Sequence, residues 1–235
     1  MKKVAILQSN YIPWKGYFDL INSVDEFIIY DIVQFTKNDW RNRNRIKTPR
    51  GPEWLTIPVS HRFGQSILET KISDARWNLK HWRTIAQNYA HAKHFKQFRE
   101  RIENLYIHCG HESLSRINLR FLRAICQILD IPTIITMAED YEIIDGQTSR
   151  LVHLCRQSGA TEYISGPAAR DYIDESLFEA EGIQLSYFDY AGYPEYNQLF
   201  PPFDHAVSIL DLIFNEGNGF QRYMKSFSAS RASIK

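Results

Sequence analysis

The pattern of apolar runs and amphipathic stretches predicts an α/β fold: a Rossmann-like, mainly parallel sheet with a β-hairpin and a helical insertion. Three observations predict it. The chain opens strand–loop–helix–strand between Val4 and Asp31, and the same alternation resumes after about residue 131. Between them, the turn sequence Pro49-Arg50-Gly51-Pro52 joins two extended runs, and three helical periodicities follow. The implied division is residues 1–73 and 131–220 for the α/β unit, with a hairpin near 44–59. Residues 74–130 form the insertion and 221–235 a polar C-terminal tail that frays.

Each element has its own signal. Val4 to Leu7 is a short apolar run, the mark of a buried strand, and Gly16 to Ile21 reads as the first helix. Phe27-Ile28-Ile29-Tyr30 is the second strand, ending at Asp31. Asn44–Thr48 and Trp54–Val59 are the hairpin arms. Asp74 is placed to cap a helix in which Trp77, His81, Ile85 and Tyr89 share one face. Phe95, Phe98, Ile102 and Leu105 mark the next helix, and Leu114 to Leu129 a third. Thr133–Thr136, Glu162–Ser165 and Gln184–Phe188 are later strands. Thr148–Gln157 and Ala206–Phe214 are helices stopped near Gly159 and Gly217.

Composition narrows the function classes. With 235 residues the chain suits one large domain or a domain with a subdomain, and 44% apolar content is ordinary for a globular protein. No run approaches the roughly 18 apolar residues of a membrane span, so no membrane insertion is expected. The opening Met1–Gln8 is too short an apolar stretch for a secretion signal. Three widely spaced cysteines, an odd number, fit a reduced cytoplasmic setting. His108-Cys109-Gly110-His111 has no recognised metal-ligand spacing and reads as a helix end, so no metal site is expected. A net charge of +1 disfavours a nucleic-acid partner.

The charge is nevertheless focused. Residues 37–50 hold six basic residues and one acid, so this window is about +5 and the rest of the chain about −4. Arg41, Arg43, Arg45 and Lys47 alternate, and a strand would line them up on one face as a ladder. Three arginines offer bidentate contacts to phosphate or carboxylate; a charged, aggregation-resistant hairpin edge is the alternative. The expected partner is a small anionic ligand, a nucleotide-sugar or an activated acyl donor. Nothing in the sequence identifies a cofactor.

The loop after the first strand, Gln8 to Tyr17, falls where ligands sit in open α/β sheets. Gln8, Asn10 and Tyr11 supply hydrogen bonds, Trp14 a stacking surface, and Gly16 close backbone approach. Asp31 and Gln34 follow the second strand and are expected at the same crevice. Asp31 is a candidate base or an ion-pair partner of the cations. Ser165 and Gly166 follow a later strand. Trp40 is a second stacking candidate. His81 shares a face with Trp77 and reads either as a core histidine or as a catalytic one.

These residues carry a family resemblance. Gln8–Asp19, Val33–Lys47, Leu55-Thr56-Ile57-Pro58-Val59, Tyr163–Ala169 and Ser208–Leu212 together resemble the WbqC-like proteins. Two departures stand out. The family pattern has two aspartates after the second strand where this chain has Asp31-Ile32. It also has proline where this chain has Ser9, which predicts a looser loop. The resemblance implies bacterial surface-polysaccharide biosynthesis of the O-antigen type, with N-acyl or aminoacyl transfer to a nucleotide-linked amino sugar. A non-catalytic nucleotide-sugar-binding protein and a single-stranded nucleic-acid binder are the alternatives.

Overall fold

A computed structural model describes residues 1–227. Five strands form one parallel sheet: β1 (Lys3–Leu7), β2 (Glu26–Ile29), β7 (Ile134–Met137), β8 (Glu162–Ser165) and β9 (Gln184–Tyr187). Their spatial order is β7-β2-β1-β8-β9, with every neighbouring pair parallel. The remaining strands are a hairpin of β3 (Arg43–Thr48) and β4 (Gly51–Thr56) and a short pair of β5 (Val59–Ser60) and β6 (Lys71–Ile72). The helices are α1 (Lys15–Asn22), α2 (Trp77–Tyr89), α3 (Phe95–Ile107), α4 (Leu114–Ile128), α5 (Gln147–Gln157), α6 (Glu175–Ala180) and α7 (Ile209–Glu216). The Rossmann-like α/β class with a hairpin and inserted helices is the architecture the sequence predicts.

The central strands β1 and β2 are buried on both faces, which is why they read as short apolar runs. Ala5, Phe27 and Ile29 point into a core shared with α1, the hairpin, α2 to α4 and α7. Val4, Ile6 and Ile28 point the other way, against α5 and residues around α6. The inserted helices therefore share one apolar core with one face of the sheet.

Several boundaries differ from expectation. β4 ends at Thr56, because Ile57 donates its N–H to Asn42 and turns into the core. Asp74 accepts the N–H of Arg76, one residue ahead of α2, rather than capping within it. The last helix begins at Ile209, where the Ser208 hydroxyl caps Leu210. The segment expected as a fraying tail is packed as far as it is described. Met224 is buried, and Asp19 accepts the backbone N–H groups of Lys225 and Ser226. The rest of that expected tail, 228–235, lies outside the described residues.

Candidate functional site

The strand order reverses once, between β1 and β8. The chain steps from β1 to β2 and β7 on one side, then returns to β8 and β9 on the other. Ligands in such sheets bind where the order reverses, beyond the carboxyl ends of the strands. Here the two strands also part. β1 and β8 pair only at Lys3–Glu162 and Val4–Tyr163, whereas β1 and β2 pair through Leu7–Ile29. The gap opens into a crevice of about 950 Å³, walled by Leu7, Gln8, Tyr30, Arg150, Ser165 and Gly166, among others.

Arg150 is the one charged side chain lining this crevice among the described residues. Its Nε donates to the Ile144 carbonyl at 2.7 Å and one Nη lies 3.4 Å from the Tyr30 hydroxyl. The other Nη is 4.0 Å from Asp145, whose side chain is out in solvent. Gly146 and Gln147 bring the start of α5 to the same wall, and no side chain caps that helix. Gly146 holds φ +97°, a conformation that favours glycine. The uncapped start of α5 and a guanidinium thus border a cavity with no carboxylate in its lining among the described residues, an arrangement suited to an anion.

A second chamber of about 480 Å³ adjoins the first, with Trp40 and Tyr190 contributing to both. Its walls include Trp14, Tyr193, Asn10, Asn44 and His205, and no charged side chain lines it among the described residues. The Trp14 ring lies 5.5 Å from both Tyr190 and Tyr193, centre to centre. A Cβ on Gly16 would fall 2.3 Å from the Trp14 indole, so this glycine admits the tryptophan rather than a ligand. Asp19, fully buried, accepts the Tyr193 hydroxyl at 2.6 Å and so fixes this wall. Burial, and then the nearby Lys15 ammonium, hold His205 below the ordinary imidazole range, so it is neutral at pH 7. Lys15 itself is pushed down to about 8 by burial. It is packed among Tyr193, Tyr196 and Phe203 and donates to the Pro194 carbonyl.

The sequence candidates divide. Gln8, Gln34, Trp40, Ser165 and Gly166 line the crevice, and Asn10, Trp14 and Trp40 line the aromatic chamber. Arg41 sits behind them, bonding Gln8 Oε1 at 2.7 Å and Asn10 Oδ1, and so spaces the two amides. Tyr11, Asp31, His81, Arg43 and Lys47 line neither cavity.

Each of those five is engaged elsewhere by its own contacts. Tyr11 is fully buried, with its hydroxyl 2.8 Å from both His81 Nδ1 and the Tyr106 hydroxyl. His81 Nε2 faces the Thr56 carbonyl at 3.1 Å, so Nε2 carries the proton and Nδ1 accepts from Tyr11. Both ring nitrogens are engaged, and burial lowers this imidazole to about 4. Asp31 is likewise a hub: it accepts Ser9 N–H at 2.8 Å, Ser9 Oγ at 2.7 Å and Ser115 Oγ at 2.5 Å. Burial raises its carboxyl despite those bonds. Ser9 therefore ties the loop down with a backbone N–H that proline lacks, so the looser loop expected there does not occur.

The cation ladder is also spent internally. Arg43 donates to the Asn38 carbonyl and lies 4.2 Å from the centre of the Trp54 ring. Arg45 bonds the Ala206 carbonyl at 3.1 Å and pairs with Asp204 at 3.5 Å. Lys47, buried, donates to the Pro202 carbonyl. Loop 202–206 thus covers the Arg45 and Lys47 end of the strand's charged face. On the other face Asn42 and Asn44 are buried, bonded to the carbonyls of Ile57, Tyr11 and Ile12.

The chain matches the WbqC-like protein family over residues 8–223. It belongs to that family. This WbqC-like chain is also 52% identical over 227 residues to "Uncharacterized protein Rv1507c" of Mycobacterium tuberculosis, a match covering 96% of the chain and 98% of the relative. No solved structure matches it. Among the described residues no helix is long and apolar enough to cross a membrane.

Sequence reading missed Tyr30, Gly146, Gln147, Arg150, Tyr172, Tyr190, Tyr193 and His205. The first four could have been found by applying the strand-end rule to every parallel strand, since Asp145-Gly146-Gln147 precedes the helix after β7. The residues of segment 189–206 carry no such signal, because that stretch has no secondary-structure period.

Proposed function

We propose that this WbqC-like chain is a cytoplasmic enzyme of surface-glycan biosynthesis that forms an amide on a nucleotide-linked amino sugar by N-acyl or aminoacyl transfer. The observation that carries the reading is the crevice between the diverging ends of β1 and β8, with Arg150 as its one charge and the uncapped start of α5 on its wall. In this reading the diphosphate lies against Arg150 and the N–H groups of α5. Gln8, Gln34 and the Ser165 hydroxyl orient the nucleoside. The chemical class comes from the family resemblance. Amide formation needs a neutral amine, a proton acceptor and donors for the developing oxyanion.

A non-catalytic binding protein is the second reading, favoured by one observation: Asp31 and His81, the two candidate bases, are sealed from both cavities. A thermal-shift series separates the outcomes. The expected result is stabilisation by nucleoside diphosphates and their sugar conjugates and none by short oligonucleotides. Stabilisation by oligonucleotides alone refutes the proposal. Turnover of a bound amino-sugar conjugate with an acyl thioester or acyl phosphate decides between enzyme and binder.

A further inference from the structure

The two cavities differ in chemistry, and the difference orders a ligand along them. The crevice holds Arg150 and the start of α5; among the described residues no charged side chain lines the aromatic chamber. A diphosphate placed in the chamber would lose water without gaining a cation. The chamber does suit an uncharged ring. A pyranose has an apolar C–H face and a polar rim, and it packs on aromatic faces while its hydroxyls seek a few fixed polar groups.

Those polar groups are present. Asn10 spends its Oδ1 on Arg41, which leaves its amide nitrogen to donate. His205 is held by an edge-on contact to Phe203, ring centres 4.5 Å apart. Its Nδ1 is buried and has no hydrogen-bond partner. That nitrogen is closed off from the chamber, so the imidazole meets a ligand through its other ring nitrogen, Nε2. The charged and titratable groups around His205 are Lys15, Asp204 and Glu195.

Resting on the nucleotide-sugar reading, we infer that the aromatic chamber is the sugar subsite and that His205 is its acceptor for the sugar's amine. The ligand then crosses between Trp40 and Tyr190, with the diphosphate on the crevice side and the hexose on the chamber side. A nucleobase could stack on the same rings. The sugar is favoured because His205 is the one imidazole lining either cavity among the described residues, and the end of the ligand that must lose a proton belongs beside it. In the transfer step the amine attacks the carbonyl of an acyl thioester or acyl phosphate. The C–N bond forms as the C–S or C–O bond breaks, the thiolate or phosphate leaves, and the amine's proton passes to the imidazole.

The test is calorimetric titration of the whole chain with UDP, dTDP and GDP and with their hexose and 2-amino-hexose conjugates. With the diphosphate that binds, Trp14→Ala should leave affinity for the diphosphate unchanged and lower that for the conjugate at least fivefold. His205→Ala should lower affinity for the amino-hexose conjugate more than for the plain hexose one. His205 packs chiefly on Phe203, so this variant reports even if Trp14→Ala does not fold; circular dichroism checks both. Equal losses for diphosphate and conjugate, or none for either, overturn the sugar subsite while leaving the nucleotide crevice intact. If none of the three diphosphates binds wild type, the nucleotide reading fails and the subsite with it.

Discussion

Strand β3 and the crevice beside β8 make opposite uses of charge. The strand region holds Arg41, Arg43, Arg45 and Lys47, yet each cation is engaged by an amide side chain, a backbone carbonyl, an indole or Asp204. Among the described residues the crevice is lined by one arginine and no acid, facing open space. Charge density along a sequence therefore reports demand for counter-groups, and the fold decides whether the protein or a ligand meets it. The same contrast separates two sets of polar residues. Tyr11, Asp31, His81 and Lys47 hold the hairpin and inserted helices to the sheet, whereas Gln8, Asn10, Trp14 and Arg150 face cavities. Variants in the first set should cost stability, and variants in the second should cost ligand.

The largest effect is expected at Asp31. Its removal strands the Ser9 N–H and two hydroxyls in the interior, at about 1–3 kcal/mol for each group left unpaired. Asp31→Ala should lose roughly 3–4 kcal/mol in urea unfolding. A loss under about 1 kcal/mol, with ligand binding abolished, would move Asp31 from the sealed set to the site.

His81 gives a pH signature. Burial lowers its folded value to about 4 from the ordinary 6.5, so the native state resists a proton that the unfolded chain accepts. The contribution is complete above pH 6.5 and is lost as pH falls from there toward 4, amounting to roughly 3 kcal/mol. Asp31 and Asp211 act in the opposite sense, since burial raises both; their contribution is present below the unfolded value and lost as pH rises through the folded one. Comparison with His81→Gln isolates the imidazole, because a glutamine amide can donate to Thr56 and accept from Tyr11. The stability gap between wild type and variant should shrink from pH 7 to pH 4. A gap independent of pH would mean that His81 is exposed to solvent.

How much of this is legible in the sequence depends on whether a signal is local. The parallel strands stand out as apolar runs, and Ser165 and Gln8 follow from strand ends. Asn44 reads only as the start of a hairpin arm, because sequence cannot show the carbonyls of Tyr11 and Ile12 waiting beneath it. Asp31 and His81 read as chemistry for the same reason: a buried hub and a catalytic group use the same residue types, and only burial separates them. His205 and Tyr190 lie in an aperiodic stretch whose path is set by Asp19 and Lys15, far away in sequence.

On the open side of the comparison, Arg150→Ala should weaken nucleoside-diphosphate binding by about 1.5–3 kcal/mol, the worth of a hydrogen bond to a charged group. Stability should fall by no more than about 1 kcal/mol, since the short bond to the Ile144 carbonyl is the strongest tie between this side chain and the rest of the protein. Titration calorimetry and urea unfolding read the two quantities on the same sample. Loss of stability with unchanged affinity would place Arg150 among the structural cations.

Arg43→Ala should have the smallest effect and is the sharpest check on the comparison. Its guanidinium covers Trp54, which is still 44% exposed, and the stacking is worth about 0.5–1 kcal/mol at such a site. Unfolding should shift by that amount, and Trp54 fluorescence should report a wetter indole. Affinity for a diphosphate should stay within about twofold of wild type, because no polar atom of Arg43 reaches either cavity. A loss of affinity matching that of Arg150→Ala would reverse the assignment: the arginine strand would be the anion site, and loop 202–206 a cover that the ligand displaces.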